Sequence, residues 1–177
     1  MSKKPDSMPR IILFDWGDTL MSEAGPPDIP MADWPEVYCV DGAADLLMRL
    51  VQRYRIALAT NAIISTKPDI LRALDRVNLT QYISEVFCFT EMGCKKDDCR
   101  FWAEVKTSLG AREDDLVMIG DSLEQDVLGP MRAGIRGIWF NWKKESYSGP
   151  LSFPQVQFLH EVPFAISALY PKTGTGV

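Results

Sequence analysis

The chain predicts an α/β fold: one domain, with a central parallel sheet and helices on both faces. Three observations carry this. Ile11 to Phe14 is an unbroken apolar run ending at an acid, Asp15. Short apolar runs then alternate with segments whose apolar residues recur at helical spacing. Nothing in the 177 residues repeats or falls to low complexity. An apolar run without alternation is a strand covered on both faces, hence central and parallel, and strand–helix alternation builds right-handed βαβ units.

The elements follow in order. Ala43, Leu46, Leu47, Leu50 and Val51 share one helical face over 43–53, after an Asp41-Gly42 turn. Ile56 to Ala59 is a second strand, ending at Thr60-Asn61. Ile70, Leu71, Leu74 and Val77 mark the next helix, with Pro68 in its first turn, where proline is tolerated. Glu85 to Phe89 is a third strand, and Phe101, Trp102, Val105 and Leu109 mark a helix that Gly110 stops. Leu116 to Ile119 is a fourth strand running into Gly120-Asp121, followed by a helix around Val127, Leu128 and Met131. Arg136 to Phe140 is a fifth strand, Val156 to Leu159 an edge strand, and 161–169 a last helix. Residues 1–9 read as a flexible leader, 10–171 as the domain and 172–177 as a tail.

Residues 22–40 break the pattern, because four prolines and Gly25 forbid one regular element. This is a Pro-rich loop or minimal flap bearing Met31 and Trp34. Those two either pack on the core or cover the crevice, and if exposed they suit an interface. Only about twenty residues separate the stretch 15–20 from the next helix, too few for a large cap.

Composition excludes several classes. The formal charge is −5, with 46% hydrophobic and 24% charged residues, ordinary for a soluble protein. No basic stripe argues for nucleic acid; Lys3-Lys4, Lys95-Lys96 and Lys143-Lys144 are each too short. No apolar run reaches membrane-spanning length. Cys39, Cys88, Cys94 and Cys99 form neither a disulfide framework nor a zinc pattern, so reduced thiols and a cytoplasmic setting are expected. One histidine, His160, and no Gly-x-Ser-x-Gly elbow leave no serine-hydrolase triad.

Four polar signals fall at strand ends, where open α/β sheets bind ligands. They are Asp15, Thr60, Lys95 shortly after the third strand, and Asp121 with Asp126 five residues on. Acids, a hydroxyl and an ammonium at one sheet edge suit a metal-assisted reaction on phosphate, and hard oxygen ligands favour Mg²⁺. Read blandly, Lys95 is a solvated surface lysine and Asp126 a first-turn helix acid.

Asp15-Trp16-Gly17-Asp18-Thr19-Leu20, Thr60-Asn61, Lys95-Lys96-Asp97 with Phe101, and Gly120-Asp121-x4-Asp126 resemble, in order, the four motifs of the haloacid dehalogenase-like hydrolases. The resemblance spans residue 10 to about 141 and, in the third motif, favours Lys95 over Lys96. It implies a single doubly wound, Rossmann-like domain and a phosphohydrolase in which Asp15 is the nucleophile and forms an aspartyl-phosphate. Mg²⁺ would sit on Asp15, the carbonyl of Gly17 and Asp121, with Asp126 ordering a metal-bound water or bracing the loop. Thr60 and the amides near Trp16, Gly17 and Asn61 would hold phosphoryl oxygens, and Lys95 would balance charge.

Gly17 departs from the family, whose phosphatases carry an acid two residues after the nucleophile. That acid protonates the leaving alkoxide and later activates water. Asp18, one position late, either substitutes through a rewound loop or serves as a loop acid bonded to backbone amides. Without the acid, aryl and acyl phosphates are processed better than alkyl esters. The resemblance thus implies a Mg²⁺-dependent hydrolase of a phosphate ester or acyl phosphate, small or macromolecular, from an open site that an oligomer could close. The alternative is a weak or inactive phosphate-binding relative with an interaction role.

Overall fold

Ile11–Phe14 (β1) is buried at every residue and pairs in parallel on both sides, with Phe14 opposite Leu58 and Ile119. A computed structural model of the chain describes residues 9–170. The expected tail at 172–177, and the expected leader apart from Pro9, lie outside the described residues. Around β1 stand Arg55–Thr60 (β2), Glu85–Cys88 (β3), Leu116–Gly120 (β4), Arg136–Phe140 (β5) and Gln155–Val156 (β6). Their order is β3-β2-β1-β4-β5-β6, parallel throughout. The chain winds outward from β1 through β2 to β3, then crosses back to lay β4 on the other side of β1. That reversal opens a crevice beyond the carboxyl ends of β1 and β4.

Alternation along β1 explains its unbroken apolar run. Ile12 and Phe14 face one core with Ile56, Leu58, Val117 and Ile119. There they meet Ala43–Leu50 (α1), Lys67–Arg76 (α2) and Val162–Leu169 (α6). Ile11 and Leu13 face the other, with Ala57, Ala59 and Met118, under Phe101, Trp102 and Val105 of Cys99–Leu109 (α4). The remaining helices are single turns, Phe89–Met92 (α3) and Gly129–Arg132 (α5). None of the described helices is long and apolar enough to cross a membrane.

Four elements differ from expectation. The first helix stops at Leu50 rather than 53, and Phe89 opens α3 instead of ending β3. Residues Leu123–Leu128 form a wide π-type turn before α5, with Gly129 N–H bonded back to Glu124 O. The edge strand keeps only Gln155 and Val156, because Leu159–Glu161 tightens into a 3-10 turn ahead of α6. In that turn the Glu161 carboxylate accepts from the N–H groups of Gln157 and Phe158 at 2.8 and 3.0 Å, which ends the pairing.

The 22–40 loop is irregular except for a 3-10 turn at Met31–Asp33 and a bridge from Cys39 to Met21. Arg76 on α2 clamps it, donating to the carbonyls of Ala32, Trp34 and Pro35 at 3.0, 2.6 and 2.9 Å. Met31 and Trp34 are buried in the main core and also line the cavity described below, so they are not the exposed interface pair considered above.

At the opposite edge of the sheet, Arg10 donates to both carboxylate oxygens of Asp115 at 3.1 and 3.0 Å, tying the entry of β1 to that of β4. This contact holds the Asp115 carboxyl below its usual value. The stability it adds is present above the ordinary carboxylate range and is lost as pH falls through the lowered value. Asp115→Asn should cost about 1–2 kcal/mol at neutral pH. Thermal midpoints of variant and wild type should converge as the pH is lowered through that depressed carboxyl value.

Candidate active site

Asp15 leaves the end of β1 with its N–H bonded to Ile119 O at 2.9 Å, so the register with β4 sets its position. The chain then turns sharply: the N–H groups of Leu20 and Met21 both reach Trp16 O, at 2.9 and 3.0 Å. Asp18 takes a left-handed φ of 53°, a conformation its short polar side chain tolerates better than most. Its Oδ1 accepts from Glu23 N–H at 3.0 Å, and its Oδ2 lies 3.5 Å from Lys143 Nζ. The Asp18 carboxylate is thus engaged with the turn and with Lys143. Thr19, fully buried, joins two motifs: its hydroxyl donates to Asp15 Oδ2 at 3.3 Å and accepts from Asp121 N–H at 3.1 Å.

The lysine that reaches Asp15 is Lys96, not Lys95. Its Nζ lies 2.6 Å from Asp15 Oδ1 and 2.6 Å from Asp126 Oδ1, with 1% of the side chain accessible. Lys95 instead sits at the cavity edge, 5.9 Å from the centre of the Phe89 ring. Backbone contacts decide between them. Asn61 Oδ1 accepts from Lys96 N–H at 2.9 Å and Trp102 Nε1 donates to Lys96 O at 2.6 Å, so the peptide is pinned with this side chain inward. The sequence reads equally well in either register, because both lysines have an acid two residues on and an aromatic six on (Asp97 and Phe101, or Asp98 and Trp102). Asp98 itself accepts from Arg100 N–H at 2.8 Å as the cap of α4.

Asp126 is fully buried, with Oδ2 accepting from Ser122 N–H at 2.9 Å. A Cβ on residue 120 would stand 2.2 Å from that same oxygen, which is why glycine precedes Asp121. Asp121 Oδ2 pairs with Lys143 at 2.9 Å, and Trp139 Nε1 holds the Asp121 carbonyl at 2.9 Å. Thr60, at the end of β2, accepts from Ala62 N–H at 3.2 Å, which leaves its own O–H as a donor. The Asn61 amide is committed to Gln125, at 2.8 Å, and to Lys96. Trp16 is buried with Nε1 on Met21 Sδ, so only its backbone serves the site.

Oxygens of Asp15, Asp121 and Asp126 all lie within 4.8 Å of one another, at the floor of a cavity of about 1010 Å³. Glu23 and Lys143 line the same cavity, and the sequence reading missed both. No motif marks either; Glu23 sits in the Pro-rich loop and Lys143 in a lysine pair too short to signal anything.

The charges leave a surplus of carboxylate. Burial works against the Lys96 ammonium, but Asp126 and Asp15 outweigh it and hold the pKa above its ordinary value. Burial, then Asp15, raises Asp126 against the pull of Lys96. Asp121 is raised by burial, with Asp15 and Asp18 adding to it against Lys143. Crowding by the surrounding protein, then Asp15, Asp18 and Asp121, raises Glu23, although water reaches it through the mouth of the cavity. Acids pushed up by burial and then by one another form a site that a divalent cation would relieve, and all-oxygen donors suit Mg²⁺.

A family model described as haloacid dehalogenase-like hydrolase matches residues 30–140, more than half of the chain. The protein belongs to that family. It is 34% identical over 104 residues to the pyrimidine 5'-nucleotidase PynA of Streptococcus pneumoniae, covering 58% of this chain and 43% of that protein. It is 30% identical over 112 residues to a ribulose-1,5-bisphosphate 5-phosphatase of Halopiger xanaduensis, covering 63% and 46%. The chain thus spans less than half the length of these curated relatives. Among solved structures, an uncharacterized protein from Listeria monocytogenes superposes with a TM-score of 0.80 at 24% identity, over 90% of this chain and 97% of that one. This last likeness concerns the fold alone.

The two lysines are separable by stability. Lys96→Met strands Asp15 and Asp126 without their counter-charge and should cost about 3–5 kcal/mol in urea unfolding without added metal. Lys95→Met should change stability by less than about 0.5 kcal/mol.

Proposed function

We propose that this chain is a Mg²⁺-dependent phosphohydrolase that works through an aspartyl-phosphate on Asp15. The observation that carries the reading is Lys96, buried between Asp15 and Asp126 beside Asp121 at the foot of an open cavity. Asp15 and Asp121 would hold the cation through carboxylate oxygens and Gly17 through its carbonyl. Asp126 stays on Lys96 and Ser122, bracing the loop. Bound there, Mg²⁺ supplies positive charge that screens the phosphoryl oxygens from the acids.

The chain's own groups do the rest. Asp15 attacks phosphorus, and the leaving oxygen departs on the opposite side. Lys96, 2.6 Å from Asp15 Oδ1, holds that carboxylate in place beside the cavity. The Thr60 hydroxyl and the backbone amides at Trp16, Gly17 and Asn61 hold phosphoryl oxygens. The phosphatase names of the two relatives support phosphate-ester chemistry. No separate cap covers the crevice among the described residues, so both small and macromolecular phosphates have access. Phosphate binding without turnover is the competing reading, and it rests on Gly17.

Purified protein with p-nitrophenyl phosphate and Mg²⁺ decides between them. Phenolate release should stop with EDTA and fall by about 10³-fold or more in Asp15→Asn. A wild type without turnover, or turnover indifferent to Asp15→Asn, overturns the proposal.

A further inference from the structure

We infer that Glu23 is the general acid and base of this site, delivering a carboxyl group from the flap to the space a side chain at position 17 would fill. The inference rests on the phosphohydrolase reading above. A Cβ on Gly17 would stand 1.9 Å from Glu23 Oε1, 2.2 Å from its Cδ and 2.6 Å from its Cγ. The carboxyl of Glu23 thus occupies the volume two residues beyond Asp15 that glycine leaves vacant. Gly17 and Glu23 are one device: the missing side chain at 17 is what admits the carboxyl from 23.

The backbone between them is built to hold this arrangement. Met21 bridges to Gly17 on one side and Cys39 on the other. Ser22 N–H donates to Tyr38 O at 2.9 Å, and the next amide, Glu23 N–H, donates to Asp18 Oδ1 at 3.0 Å. Two consecutive amides are therefore fixed, and the side chain returns across the turn into the cavity that Asp15, Thr60 and Asp121 line. Among the described residues none donates a hydrogen bond to the Glu23 carboxylate, whereas Asp18 is engaged by Glu23 N–H and faces Lys143. Of the two acids beside Gly17, only Glu23 has its carboxylate free of a hydrogen bond.

The proton balance closes. In the first step Asp15 forms a bond to phosphorus, the ester P–O bond breaks, and the protonated Glu23 gives its proton to the leaving alkoxide. In the second, the Glu23 carboxylate takes a proton from water as that water's oxygen attacks phosphorus. The bond to Asp15 breaks, phosphate leaves, and Glu23 is protonated again.

The test compares leaving groups in Glu23→Gln, with Asp15→Asn as control. Turnover of ethyl phosphate, whose alkoxide needs a proton, should fall by about 10²–10⁴-fold. Transfer from p-nitrophenyl phosphate needs none, so acid quenching should trap more phosphorylated protein than in wild type. Gly17→Asp combined with Glu23→Gln restores a carboxyl to the same place and should recover ethyl phosphate turnover; Gly17→Asp alone displaces Glu23 and brings no gain. Glu23→Ala, checked for an unchanged melting temperature, should repeat the loss. If Glu23→Gln turns over both esters like wild type, or slows both equally without trapped phosphoenzyme, Glu23 is not the acid and base. Should Asp15→Asn still abolish turnover in that case, the phosphohydrolase reading stands without it. A wild type with no turnover overturns both.

Discussion

One ammonium group organises the crevice. Lys96 Nζ is enclosed by protein and lies 2.6 Å from a carboxylate just after β1 and 2.6 Å from one after β4. Neither acid tolerates burial alone, and the lysine would not be buried without them. The three charges therefore arrive together or not at all, and their meeting fixes the loop after β3 against the ends of β1 and β4. The neighbouring contacts serve that meeting: Asn61 and Trp102 hold the lysine's peptide, Ser122 holds Asp126, and Thr19 ties Asp15 to Asp121. Because two carboxylates share one ammonium, and Asp121 stands beside them, the crevice keeps surplus negative charge. That surplus is what the proposed cation would offset.

The turn after β1 shows how a local departure can be repaired from elsewhere in the chain. Glycine at 17 removes a side chain from the reaction edge, and the left-handed residue that follows turns its own carboxylate to the loop. The same turn brings residue 23 back over residue 17. Arg76 anchors the far part of this loop to α2, so the flap is a packed element with Met31 and Trp34 inside the core.

The most legible parts of the chain were those set by short-range chemistry. The apolar runs of β1, β2 and β4 must be covered on both faces, and they are. The 3.6-residue spacing in α1, α2 and α4 marked the faces that pack on the sheet. The acids at 15, 121 and 126 could be placed because strand ends in a parallel sheet share one edge. Less legible was the stretch after Asp121, where the ladder widens so that Asp126 can reach back to Ser122. The brief β6 was likewise obscured, since capping of the next turn competes with strand pairing over the same residues.

By itself, then, the order of residues determined the layered sheet, the edge where its polar groups collect and the family to which the chain belongs. These depend on periodicity and on chain direction, which are properties of neighbours along the backbone. Only the tertiary structure decided which of two adjacent lysines enters the interior and which acid stands beside Gly17. A one-residue choice at 95 or 96 is invisible to spacing, and the proximity of 17 and 23 depends on how a turn closes. Both are settled by contacts between segments distant in sequence, where burial makes one arrangement of charge far less costly than its neighbour.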